Sequence, residues 1–178
     1  MRTLLYDSKM YKFKLASYSA VILFSSVTFA ASPDSNPVDV VAQLYRDFAH
    51  EAVIEEPDWK GHSLTDLPRV SLEKYFDHNL ASLLLKDNEC AAKTHEICKL
   101  DFSPMWSSQD PEGVSQLKVK QTNIPSIVEV YFSYFGNKEM IKLTYLMTRT
   151  HKGWRISDIQ SDSPTMKWSL LSILKGKD

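Results

Sequence analysis

The sequence predicts an α+β domain, with helices first, a four-stranded antiparallel meander after them and a short helix at the end. Three observations predict it. Apolar residues recur at steps of three and four over residues 38–52 and 72–84, four β-rich runs separated by turn residues fill residues 114–161, and helical spacing returns over residues 163–176.

The chain opens with Arg2, Lys9, Lys12 and Lys14, followed by an uncharged run from Leu15 to Ala30. Basic residues before a short apolar stretch that ends in Thr28-Phe29-Ala30 read as a cleavable secretory signal peptide over residues 1–30, with an uncleaved anchor as the alternative. The stretch is shorter than the roughly 20 residues a spanning helix needs. No Cys precedes Cys90, so there is no lipobox, and the expectation is a periplasmic protein without a stable membrane anchor, residues 31–178 forming one domain.

Asn36-Pro37 reads as a helix cap followed by Pro in the first turn, and Val38, Val41, Tyr45, Phe48 and Ala52 make the apolar stripe of the first helix. Over residues 53–70 the period stops at Pro57, Gly61 and Pro68, while Glu51, Glu55, Glu56 and Asp58 gather before Trp59. That is an acidic, exposed loop. Ser71 is the expected cap of a second helix carrying Leu72, Tyr75, Phe76, Leu80, Leu83 and Leu84 to about Lys86. Residues 87–113 then lose their period. Within them Cys90 and Cys98, an even count in an exported chain, predict one disulfide; a metal site made with His95 matches no common zinc spacing.

The strands are expected at residues 114–122, 127–135, 139–150 and 154–161, parted by Asn123-Ile-Pro125, Gly136-Asn137 and Lys152-Gly153. Ile141, Leu143, Tyr145 and Met147 alternate with Lys142, Thr144 and Thr148, which gives the third strand one packed and one wetter face. Ser163-Pro164 is the expected cap of the closing helix, with Met166, Leu170, Ile173 and Leu174 on its apolar side and Gly176 at its end.

These pieces together resemble a known group. The segment Leu100-Asp-Phe-Ser-Pro-Met-Trp-Ser-Ser-Gln-Asp110, the meander and the closing Gly153-Trp-Arg-Ile-Ser-Asp-Ile159 are similar to the exported domain-of-unknown-function family 3828, in the nuclear transport factor two-like superfamily of cone-shaped α+β domains. The resemblance covers most of residues 37–174 and implies a strongly bent sheet wrapped around the helices. Such cones include enzymes, ligand binders and protein-binding modules, so the fold leaves function open. The missing lipobox Cys separates this chain from the family's lipoprotein members.

Composition narrows the classes of function. Five scattered Gly exclude a P-loop and a G-x-G-x-x-G fingerprint, and neither G-x-S-x-G nor H-E-x-x-H occurs. Ser71-Leu-Glu-Lys74 matches S-x-x-K without its companion motifs, and His50, His62, His78, His95 and His151 are scattered. No cofactor, metal or catalytic residue is therefore expected. Loss of residues 1–30 takes the balance from 21 Lys plus Arg against 22 Asp plus Glu to 17 against 21, which argues against a nucleic-acid partner.

What remains is a non-catalytic protein-binding module, of the immunity or inhibitor kind, directed at a basic envelope-acting toxin or cell-wall hydrolase. Glu55, Glu56, Asp58, Trp59 and Trp106 are its expected partner-binding residues, Trp106 lying in the loop from Cys90 onward. Trp154, Trp168 and Phe102 are further aromatic candidates, of which Trp154 reads as core. The alternatives are an envelope accessory protein, or a small-ligand or weakly catalytic cone with Tyr131, Tyr145, Asp101 and Asp158 around its pocket. Their blander reading is structural: Asp101 and Asp110 bonding turn amides, Asp158 pairing with Arg149 or Arg155 across strands.

Overall fold

Residues 36–52, 63–137 and 139–176 are described by the structure, a computed structural model. The expected leader and Glu55, Glu56, Asp58 and Trp59 lie outside the described residues. Asn36 starts α1 (Pro37–Phe48) as expected: its side-chain oxygen accepts from the Val38 N–H at 3.2 Å, and Pro37 occupies the first turn. Val40 and Leu44 are buried beside Val41, Tyr45 and Phe48, so the apolar face is broader than the predicted stripe. A 3₁₀ turn, Ala49–Ala52, continues the helix.

The second predicted helix is two helices. A single turn, α2 (Arg69–Leu72), is followed by α3 (His78–Thr94). Ser71 therefore lies inside α2, and the cap of the long helix is Asp77, whose carboxylate accepts from the Leu80 N–H at 2.7 Å. The break is caused by strand pairing. Ile156 donates to the Tyr75 carbonyl at 2.8 Å and accepts from the Asp77 N–H at 2.9 Å, so Phe76 runs parallel to a sheet strand for one residue and cannot be helical.

At its other end α3 outlasts the apolar stripe by two turns. Residues such as Glu89, Ala91, Ala92 and Lys93 are compatible with a helix even where nothing packs on it. His95 closes it in the left-handed region (φ 58°), and Cys98 returns to form the disulfide with Cys90, Cα atoms 6.1 Å apart. Closing so short a loop restricts the unfolded chain, so replacing both cysteines by serine is expected to lower unfolding free energy by about 2 to 3 kcal/mol. Urea titration of the oxidised and Ser/Ser forms measures it; equal midpoints would mean that the bridge contributes nothing to stability.

The sheet has five antiparallel strands, not the four expected: β1 (Val114–Gln121), β2 (Ile127–Tyr134), β3 (Ile141–Thr150), β4 (Gly153–Asp162) and β5 (Lys167–Ser169), in that spatial order. The fifth arises because Ser163-Pro164 makes a turn instead of capping a helix, the Met166 N–H reaching the Ser163 carbonyl at 3.2 Å. Residues 167–169 can then pair with residues 160–162. The closing helix, α4 (Leu170–Lys175), begins four residues after Met166, the predicted start of its apolar stripe. Its cap is Ser169, which accepts from the Ser172 N–H at 3.1 Å, and Gly176 (φ 65°) ends it.

One face of the sheet presents Val128, Val130 and Phe132 from β2, Leu143, Tyr145 and Met147 from β3, and Ile156 and Ile159 from β4. Leu44, Tyr45, Leu72, Phe76, Leu80, Leu84, Leu170 and Leu174 of the helices and the turn complete one core with them. Register shifts at Ser115/Lys118 and Leu146/Met147 are bulges, which bend strands and increase twist. No helix among the described residues is long and apolar enough to cross a membrane.

Candidate functional site

The chain between α3 and β1 has almost no regular structure, yet it is fixed from below. Met105 and Trp106 are buried, and core tyrosines bind their backbone: the Tyr45 hydroxyl donates to the Met105 carbonyl at 2.7 Å, and the Tyr134 hydroxyl to the Trp106 carbonyl at 2.7 Å. Tyr145 donates in turn to the Tyr45 oxygen at 2.9 Å. Burial is the chief cause that pushes the pKa of all three phenols up, so they remain protonated donors. Above this anchor the chain doubles back, Ser103 and Ser108 forming a bridge with a 2.8 Å hydrogen bond, and Ser107 takes a positive φ of 52°.

The doubling back leaves Phe102, Ser107, Gln109 and Asp110 at the surface beside β5. Phe102 meets Trp168 edge to face with ring centroids 5.0 Å apart, and the Trp168 indole N–H donates to Ser107 Oγ at 3.1 Å. Both rings are half-buried. Gln109 donates to Asp101 at 3.2 Å. Three depressions of about 430, 620 and 740 Å³ share these residues, running from Glu51 and Leu100 past Phe102 and Trp168 to Ile173 on α4. Among the described residues their lining includes four carboxylates, Glu51, Asp101, Asp110 and Asp162, against one cation, Lys167.

Glu51 ties the end of this trough together. Its two carboxylate oxygens accept from the Leu64 N–H at 2.8 Å and from Ser103 Oγ at 3.0 Å. Ser63 lines this end of the trough as well. No family model, curated protein or solved structure matches the chain. The geometry is left to speak for itself.

Of the residues singled out in the sequence, Trp106 is in the wrong place for recognition. It is 2% exposed, packed edge to face against Tyr45 (5.0 Å) and Phe132 (5.7 Å), so it anchors the loop and offers no surface to a partner. Tyr131, Tyr145, Asp101 and Asp158 do not surround one pocket. Register puts Tyr145 opposite Val128 on the packed face and Tyr131 opposite Lys142 on the other, where its hydroxyl donates to Glu129 at 2.7 Å. That bond and Lys142 hold the Glu129 carboxyl below the usual range.

Asp158 is fully engaged, though not with arginine. Its carboxylate accepts from the Ile159 and Leu171 N–H groups at 2.9 and 2.8 Å, from Gln160 Nε2 at 2.8 Å and from Ser169 Oγ at 2.8 Å, joining β4, β5 and α4. Arg149 instead stacks over Trp154 (6.0 Å), and Arg155 bonds backbone carbonyls. Among the described residues no group of three His, Cys, Asp or Glu is placed to hold a metal ion. Phe102 with Trp168 is a half-buried aromatic pair, brought together by β5, which apolar spacing alone had concealed.

Proposed function

We propose that the chain is an exported, non-catalytic protein-binding module of the immunity or inhibitor kind, and that the trough around Phe102 and Trp168 receives a basic toxin or cell-wall hydrolase. The observation that carries this reading is the half-buried aromatic pair set among Glu51, Asp101, Asp110 and Asp162. Aromatic anchors at the centre of a polar rim are the usual source of binding energy in protein interfaces. The acidic rim would steer a cationic partner and speed encounter, and the sequence carries three more acids, Glu55, Glu56 and Asp58, between Ala52 and Ser63.

A leader over residues 1–30, a periplasmic location and membership of family 3828 belong to the same proposal. The disulfide supports it, since such bridges persist in oxidising compartments. The test is affinity capture from envelope and secreted fractions with the oxidised protein as bait, read by mass spectrometry. A stoichiometric basic partner is expected, and its retention should fall when Glu55, Glu56 and Asp58 are all changed to Ala. Capture that is unaffected by this triple change and by moderate salt would contradict the charge-steered reading.

A further inference from the structure

A separate cleft of about 410 Å³ opens between α1, the turn after α2 and β4. Its electrostatics are unusual. Arg155 lines it while only 8% exposed, and its guanidinium forms no ion pair among the described residues. Nε donates to the Glu73 carbonyl at 2.8 Å and Nη1 to the Trp154 carbonyl at 2.6 Å, which fixes the plane of the group and leaves further N–H donors over. Buried charges in proteins are ordinarily paired.

Burial disfavours the charge of Arg155, and the Glu73 carboxylate offsets this only through space, without forming an ion pair with it. Glu73 is already shared by His78 at 3.0 Å, Lys152 at 3.8 Å and Arg69 at 4.0 Å, and the His78 contact is the chief cause that holds its carboxyl below the usual range. Lys74, also lining the cleft, is exposed and makes no ion pair among the described residues. The opposite wall is acidic. Asp39 and Asp47 stand eight residues apart on α1; Asp47 accepts from the Tyr75 hydroxyl and from Gln43, while Asp39 has no side-chain partner among the described residues.

Cations and carboxylates thus face one cleft without pairing with each other across it. A ligand that carries both signs would satisfy both walls. We propose that this cleft binds a small zwitterion of the free α-amino-acid type, with its carboxylate on Arg155 and Lys74, its ammonium group on Asp39, and its side chain against Val40 and the Tyr75 ring. The volume lies at the lower end of the range for small-molecule sites, roughly 300 to 1,000 Å³. A fixed guanidinium fork is suited to bidentate capture of a planar carboxylate. This site is independent of the trough and does not rest on the protein-binding reading.

The test uses the purified protein and a panel of free amino acids of both configurations, screened by thermal shift and confirmed by calorimetry. At least one is expected to bind saturably. Its N-acetyl derivative, which lacks the ammonium group, and its amide, which lacks the carboxylate, should each bind more weakly by on the order of tenfold or more. Arg155→Gln should abolish binding. Because loss of a buried residue can impair folding, the exposed changes Asp39→Asn and Lys74→Gln are measured beside it, each expected to weaken binding by on the order of tenfold with an unchanged melting midpoint. No shift from any amino acid at about 10 mM, equal binding of the blocked derivatives, or unchanged affinity in both exposed variants would overturn the proposal.

Discussion

Replacement of Trp106 by Ala is expected to cost about 3 to 5 kcal/mol of unfolding free energy, the usual range for removing a large aromatic side chain from a core. The ring is in contact with both layers, edge to face with Tyr45 of α1 and with Phe132 of β2, so its loss leaves a void that neither can fill alone. Tyr45→Phe should cost about 1 to 3 kcal/mol, because it removes the donor to the Met105 carbonyl and an acceptor of the Tyr145 hydroxyl inside the core. Urea unfolding measures both. A Trp106→Ala variant within about 1 kcal/mol of the parent would mean that the ring is on the surface, which would return it to the set of partner-contacting residues.

The second large effect is expected at Asp158. Asp158→Ala removes a 4% exposed carboxylate that receives four hydrogen bonds, and should destabilise by about 3 kcal/mol. The loss should be local before it is global. Two of the four donors, Ser169 and the Leu171 N–H, hold β5 and the first turn of α4 on β4, so amide exchange should accelerate over residues 167–175 more than over β2 and β3. Asp158→Asn keeps one acceptor oxygen and should lose less. Equal exchange in all three proteins would show that the carboxylate does not hold the C-terminal segment.

The structure also shows which features were readable from sequence. α1, the first four strands and the disulfide were legible because each has a strong local signal: Asn-Pro at a helix start, alternation bounded by turn residues, two cysteines close in sequence and no third. The break at Phe76 and the short β5 were not, since both are imposed by pairing with β4, at Ile156 and at residues 160–162, which no local window contains. Propensity gave way to tertiary hydrogen bonding there.

The functional surface was only half legible for the same reason. Trp106 and Trp168 both sit in polar, Pro-containing neighbourhoods, and spacing does not reveal that one turns inward onto Tyr45 while the other is brought out to Phe102 by β5. Glu51 reads in sequence as another member of an acidic run, yet it is the residue that closes the end of the trough on Leu64 and Ser103. Arg155 reads as a strand residue open to cross-strand pairing. Only its burial without a carboxylate makes it a binding candidate.

The central claim is that the trough around Phe102 and Trp168 is where a protein partner binds. The most direct measurement is the affinity of the captured partner for Trp168→Ala and Phe102→Ala, by surface plasmon resonance, with melting midpoints recorded to exclude misfolding. Loss of a hot-spot aromatic costs about 2 kcal/mol or more, so each variant should bind on the order of thirtyfold more weakly, mainly through faster dissociation. Unchanged affinity in both, in proteins that melt like the parent, would contradict the account and move the interface elsewhere on the domain.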